Sequence, residues 1–151
     1  MNSQVNLTSM FSRPLLIYDD ACSSCGKFAK IVNIISRGWI RIAGHHYSKV
    51  ASEAKQVIFP KGYDATKMFW LINSKGAFGA RAGLMPVVKE VLLGLLVHKE
   101  SRRLNTDAVK YTCDVQSSSC MSTKGIIGRI MNMARTSVVF PFDQSHRTWE
   151  N

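Results

Sequence analysis

Two cysteines stand three residues apart near the start of the chain, Cys22 and Cys25, with two acids, Asp19 and Asp20, just ahead of them. Thiols at this spacing support two chemistries. One thiolate can attack a disulfide while the other resolves the mixed intermediate. Alternatively, the pair supplies half of a tetrahedral zinc site. The surrounding residues define the setting. Leu15, Leu16, Ile17 and Tyr18 form a short apolar run, and Phe28, Ile31, Val32 and Ile35 follow the cysteines at i, i+3, i+4 and i+7. A strand therefore delivers both thiols onto the first turn of a helix. Unpaired N–H groups and the helix dipole at that position favour a thiolate. Cys22 is expected at the open end, as the more exposed and more acidic thiol and the attacker. Cys25 lies one turn in and resolves. Asp19 and Asp20 tune the cysteines, cap the helix start or form an acid–base pair. Asp19 is the acid expected to take a proton from Cys25, so the candidate catalytic set is Cys22, Cys25 and Asp19.

The positioning elements follow in order. Leu15–Tyr18 reads as an interior strand buried on both faces. The helix after the cysteines carries Lys27, Lys30 and Arg37 on its other side and ends at Gly38. Gly26, just after the second cysteine, is either a tolerated first-turn glycine or a gap through which a partner backbone approaches the disulfide. Trp39–Ala43 alternates as a second strand. The intervening helix makes it parallel to the first. Gly44-His45-His46 then lies at its carboxyl end, on the sheet edge that carries Cys22. The two histidines either approach the thiols or stand solvated in a loop. Ser48 caps a helix with Val50, Ala51, Ala54, Val57 and Ile58 on one face, which Pro60 and Gly62 end. Lys67–Asn73 and Ala77–Ala82 form a hairpin around Ser74-Lys75-Gly76. Leu84–Leu96 is a third helix, with Pro86 in its first turn and Val87, Val88, Val91, Leu92 and Leu95 as its buried stripe.

The order is strand–helix–strand–helix–strand–strand–helix. Tyr18-Asp19-Asp20-Ala21-Cys22-Ser23-Ser24-Cys25 resembles the signature of the DCC-type thiol-disulfide oxidoreductases, in which an Asp and two Cys are spaced Asp-x-x-Cys-x-x-Cys. The matching positions are Asp19, Cys22 and Cys25. The resemblance spans Pro14 to Leu96, specific at the motif and pattern-level afterwards. It implies a thioredoxin-like α/β fold, a mixed four-stranded sheet in β-α-β-α-β-β-α order, and thiol–disulfide exchange with protein or small-molecule thiols and disulfides. Asp20 stands where the family usually has glycine, adding a negative charge that opposes thiolate formation. Thioredoxins also place a cis-proline just before the third strand. Pro60 lies several residues too early, so Ala65-Thr66-Lys67 is expected to face the disulfide.

Composition bounds the remaining readings. At 151 residues and 46% hydrophobic, the chain is one domain with an appendage: a flexible tail over 1–13, the α/β domain over 14–97 and a C-terminal extension over 98–151. No apolar run is long enough to span a bilayer; the longest, Gly83–Val97, is broken by Lys89 and Glu90. The N-terminus lacks a basic region followed by an apolar core, so no secretory signal is expected and the cytoplasm is the default compartment. Paired cysteines there are more often catalytic or metal-binding than structural. No cofactor or metal is expected for the exchange reading. The net charge of +10 divides into +7 over 1–97 and +3 over 98–151. It fits a soluble basic surface, or one drawn to an acidic partner or an anionic membrane, with no specific nucleic-acid partner expected.

In the extension, Ile126, Ile127, Ile130, Met131 and Ala134 form one face of a basic amphipathic helix, which packs on the domain or lies on a membrane. Cys113 and Cys120 flank a serine-rich loop as a second redox pair, a local disulfide or plain thiols. Two alternatives to exchange stay open. One is a redox-inert scaffold that binds a partner through its basic face. The other is a zinc module using Cys22, Cys25, Cys113 and Cys120.

Overall fold

The computed structural model describes residues 11–97, 131 and 134–142. These form a mixed α/β fold of five strands and three helices, with a 3-10 turn at Ala65–Lys67. The strands are β1 (Leu15–Tyr18), β2 (Arg41–Gly44), β3 (Trp70–Asn73), β4 (Gly76–Ala80) and β5 (Ser137–Pro141). The helices are α1 (Ser23–Ile35), α2 (Lys49–Ile58) and α3 (Arg81–Val97). The sheet runs β2-β1-β3-β4-β5. Strand β2 is parallel to β1, as the intervening helix requires, with Tyr18 opposite Gly44. Strands β3, β4 and β5 are each antiparallel to the preceding neighbour.

The apolar run of β1 explains its place. All four residues are buried, and the strand lies inside the sheet between β2 and β3. Its alternation divides the core in two. Leu15 and Ile17 join Ala51 and Ala54 of α2 with Phe59, Trp70 and Ile72. Leu16 and Tyr18 join Ala29 and Val32 of α1 with Phe69, Leu71 and Val87 of α3. The sheet is thus covered by α2 on one face and by α1 and α3 on the other. On the α2 side, the rings of Phe59, Tyr63, Trp70 and Phe140 pack edge-on or tilted at centroid distances of 4.5–6.0 Å, apart from a stacked Phe59–Tyr63 pair.

Several sequence expectations change. The sheet has five strands instead of four, because Ser137–Pro141 pairs along β4 from Gly76 to Ala80. Its alternation is short, and only Val138 and Phe140 turn toward the core. The second strand begins at Arg41, and Ile40 N–H donates to the Ser36 hydroxyl at 3.2 Å. Helix α3 starts at Arg81, so Pro86 lies beyond its first turn and withholds an N–H from the helix ladder. Its buried face is Gly83, Val87, Glu90 and Gly94. Val88 and Leu92 of the expected stripe are each 54% exposed. Two contacts pull the glycine face inward. A Cβ at Gly94 would come within 2.5 Å of the Ser36 carbonyl oxygen, so α3 approaches α1 more closely than any side chain allows. The buried Glu90 carboxylate accepts from Trp39 Nε1 at 3.0 Å and Asn73 Nδ2 at 3.1 Å. Helix α1 shifts likewise: Gly26, Ala29 and Val32 are buried, whereas Ile31 and Ile35 are exposed.

Among the described residues, no helix is long and apolar enough to cross a membrane. Cys113 and Cys120 and most of the amphipathic segment, Ile126 to Ile130, lie outside the described residues.

Candidate active site

The carboxyl ends of β1 and β2 and the amino end of β3 share one edge of the sheet, since Ile17 lies opposite both Ala43 and Trp70. Both cysteines, both acids and both histidines collect there. After Tyr18 the chain turns at once: Cys22 N–H donates to the Asp19 carbonyl at 3.1 Å, and Ala21 N–H donates to Asp19 Oδ1 at 3.0 Å. That turn sets Cys22 at the N-cap of α1 in extended conformation, φ −109° and ψ 115°, with its carbonyl accepting from Gly26 N–H at 3.0 Å. Its side chain makes no capping hydrogen bond. Cys25 follows in the first helical turn and packs against the cluster of Leu16, Tyr18 and Phe69. No disulfide joins the two sulfurs.

The expected exposure order is reversed. Cys22 is only 6% exposed, and Cys25 is the more accessible of the two. Cys22 closes the tight turn after β1 with its N–H on the Asp19 carbonyl, whereas Cys25 stands in the first helical turn.

The histidines part company. His45 N–H donates to the Tyr18 carbonyl at 2.9 Å, which extends the β1–β2 pairing by one step. Its ring is buried, 3% exposed, with Nε2 2.8 Å from the Met68 carbonyl oxygen. A carbonyl accepts only, so Nε2 carries the proton and Nδ1 the lone pair. Nδ1 is buried and has no hydrogen-bond partner among the described residues. Burial pushes the His45 pKa down and the nearby Lys55 ammonium pushes the same way, outweighing the Met68 carbonyl bond and Asp19. Lys55 Nζ is itself 2.8 Å from the His45 carbonyl. His45 is therefore a neutral core residue, not a solvated loop histidine.

His46 turns outward. Its side chain is 45% exposed, and Nε2 lies 3.6 Å from Asp19 Oδ1, whose own side chain is 19% exposed. Asp20 organises this meeting. Its carboxylate accepts from His46 N–H at 3.1 and 3.3 Å and from Tyr47 N–H at 3.1 Å, tying the loop after β2 to the loop after β1. Gly44 makes room for it, since a Cβ there would fall on the Asp20 carboxylate. The extra acid of the motif is thus held by backbone N–H groups of the facing loop. A side-chain oxygen or ring nitrogen of Asp19, Asp20 and His46 each lies within 4.8 Å of the others.

Residues 65–67, expected to face the disulfide, form the 3-10 turn. Asp64 caps it, accepting from Thr66 N–H at 3.1 Å, and Ala65 is buried. What the segment before β3 offers the site is the Met68 carbonyl, spent on His45. The same edge opens a groove of about 540 Å³ lined by Lys55, Phe59, Lys61, Tyr63 and Thr66.

The Asp20 clamp, the burial of His45 and the Asp19–His46 pairing are not visible in the motif. The one sequence signal for them is Gly44 directly before the two histidines, at the end of a strand parallel to β1. Comparison with protein-family models, with curated proteins and with solved structures finds no match to this chain.

Proposed function

We propose that this chain is a thiol–disulfide oxidoreductase of the DCC type on a thioredoxin-like fold, exchanging a Cys22–Cys25 dithiol with the disulfide of a protein or small-molecule partner. The observation that carries the reading is the placement of the pair: Cys22 at the N-cap of α1 and Cys25 in its first turn, at the end of a fully buried strand. The strand order β2-β1-β3-β4, with β1 and β2 parallel and the next two antiparallel, supports the fold assignment. The groove, lined by Phe59 and Tyr63 with Lys55, Lys61 and Asp64, suits an extended partner with polar groups.

The reaction runs in two displacements. Cys22, although the less exposed thiol, sits at the N-cap, where helix N–H groups favour a thiolate. That thiolate attacks one sulfur of the partner disulfide, a Cys22–partner bond forms, and the other partner sulfur leaves as a thiolate that takes up a proton. Cys25 then gives its proton to the Asp19 carboxylate and attacks Cys22 Sγ. The mixed disulfide breaks, the second partner thiolate leaves, and Cys22–Cys25 becomes a disulfide. Two electrons pass to the partner, which ends as two thiols.

Substitution tests this directly. Cys22→Ser abolishes exchange, whereas Cys25→Ser strands mixed disulfides that resist dilution and dissolve in excess reductant. Equal activity in the wild type and both variants overturns the reading. The burial of Cys22 favours a second reading, a redox-inert scaffold that binds its partner without exchange. Under that reading, neither variant alters partner binding and no mixed disulfide accumulates.

A further inference from the structure

We propose that His46 completes a proton path from the dithiol to solvent, acting through Asp19, and that Asp20 and Gly44 exist at their positions to hold it there. This rests on the exchange reading above, because it concerns the proton which that reaction releases.

The geometry supplies the pieces. The Asp19 side chain is 19% exposed against 45% for His46, so His46 is the more open of the two to water, and its Nε2 stands 3.6 Å from Asp19 Oδ1. That separation is bridged by a small rotation of either side chain or by one water. Nothing in the local chain obliges the histidine to be there. It is set by the Asp20 carboxylate, which binds the N–H groups of His46 and Tyr47 from the opposite loop, through the space left by Gly44. An aspartate in place of glycine beside a reactive thiol is costly unless its charge is used elsewhere. Here it is used to fix a loop.

In the resolving step, the Cys25 proton moves to Asp19 Oδ1, then to His46 Nε2, and His46 gives it to water, from which the departing partner thiolate is protonated. No electron travels this path. The two electrons pass through sulfur alone, and the proton count is that of the exchange already written. His46 touches neither sulfur nor partner, so it is a positioning residue for the proton, not a catalytic one. The charged and titratable groups around it are Asp19 and Asp20 from the loop after β1, and His45 and Tyr47 on its own loop. Lys55 of α2 stands behind His45, and Lys49 at the start of α2 lies 3.9 Å from Glu53.

The test is single-turnover oxidation of the reduced full-length protein by a small aromatic disulfide, followed from pH 5 to pH 9 in the wild type, His46→Gln, Asp19→Asn, the double variant and Asp20→Ala. The pH profile of His46→Gln differs in shape from that of the wild type, because the variant has no ring nitrogen to carry the proton. The resolving step of His46→Gln slows roughly tenfold, less than the ~100-fold or more typical of a group that handles the reacting proton itself. The double variant is no slower than Asp19→Asn, because both lie on one path. Asp20→Ala reproduces the histidine variant in weaker form while His46 and Asp19 are both intact. A His46→Gln profile superimposable on the wild type overturns the proposal and leaves the exchange reading standing, as do fully additive losses in the double variant. Absence of exchange in the wild type overturns both.

Discussion

His45 is the residue whose chemistry most constrains the pH behaviour of the fold. Folding buries its ring at 3% exposure, which disfavours the charged form, with Nε2 2.8 Å from the Met68 carbonyl oxygen. Unfolded, it titrates near its ordinary value of 6.5; folded, its value is lower, chiefly from desolvation. Between the two values the unfolded chain holds a proton that the folded chain lacks, so acid favours unfolding. The stabilisation is fully present above about pH 6.5 and is lost as pH falls through the folded value. We therefore expect thermal melts to move to lower temperature as pH drops from 7 toward 5, with a slope from this residue of at most about 1.4 kcal/mol per pH unit. The variant His45→Gln keeps a donor for the Met68 carbonyl and flattens that slope. A slope unchanged in the variant assigns the effect to another group.

At the scale of elements, the reading from sequence succeeded where one residue pattern had one physical solution. A four-residue run of Leu, Leu, Ile and Tyr bounded by turn residues is too short for a helix and fits an interior strand, and a strand, helix and strand in succession give a parallel pair. The dithiol's place at the start of α1 follows from the same two facts. The reading failed where periodicity pointed one way and close packing another. On α3 the large apolar residues Val88, Leu92 and Leu96 face outward. The buried side is built from glycines that permit close approach and from Glu90, whose charge reads as a surface residue until its two partners, Trp39 and Asn73, are known. Those partners lie 51 and 17 residues away, and no local pattern reports them. The strand at Ser137–Pro141 was missed for a related reason, since an edge strand with one half-buried face leaves a weak signal. Glu90 supplies the test at this scale. Glu90→Ala removes the acceptor from both buried donors and is expected to destabilise the fold by about 2–4 kcal/mol, from ~1–2 kcal/mol for each group stripped of its partner. A stability loss from denaturant unfolding of less than a quarter of that means the carboxylate does not tie α3 to the sheet.

For the molecule as a whole, the site is a product of topology. The motif brings two thiols and two acids within seven residues, but the histidines arrive from another loop, at the end of a strand that lies parallel to β1. Asp20 joins the two loops through the N–H groups of His46 and Tyr47, so a residue of the cysteine loop also assembles the edge. The central claim is that the edge carries a reversible dithiol–disulfide couple, and one measurement addresses it most directly. The full-length protein is equilibrated anaerobically in glutathione buffers of graded ratio, quenched in acid and alkylated, and the peptide carrying Cys22 and Cys25 is weighed. The account predicts that this peptide passes from doubly alkylated to internally bridged, unalkylated and two hydrogens lighter than the free dithiol. The transition should follow a two-electron Nernst curve of about 30 mV per tenfold change in ratio. A peptide that stays doubly alkylated across the whole range, in protein shown to be folded, would contradict it.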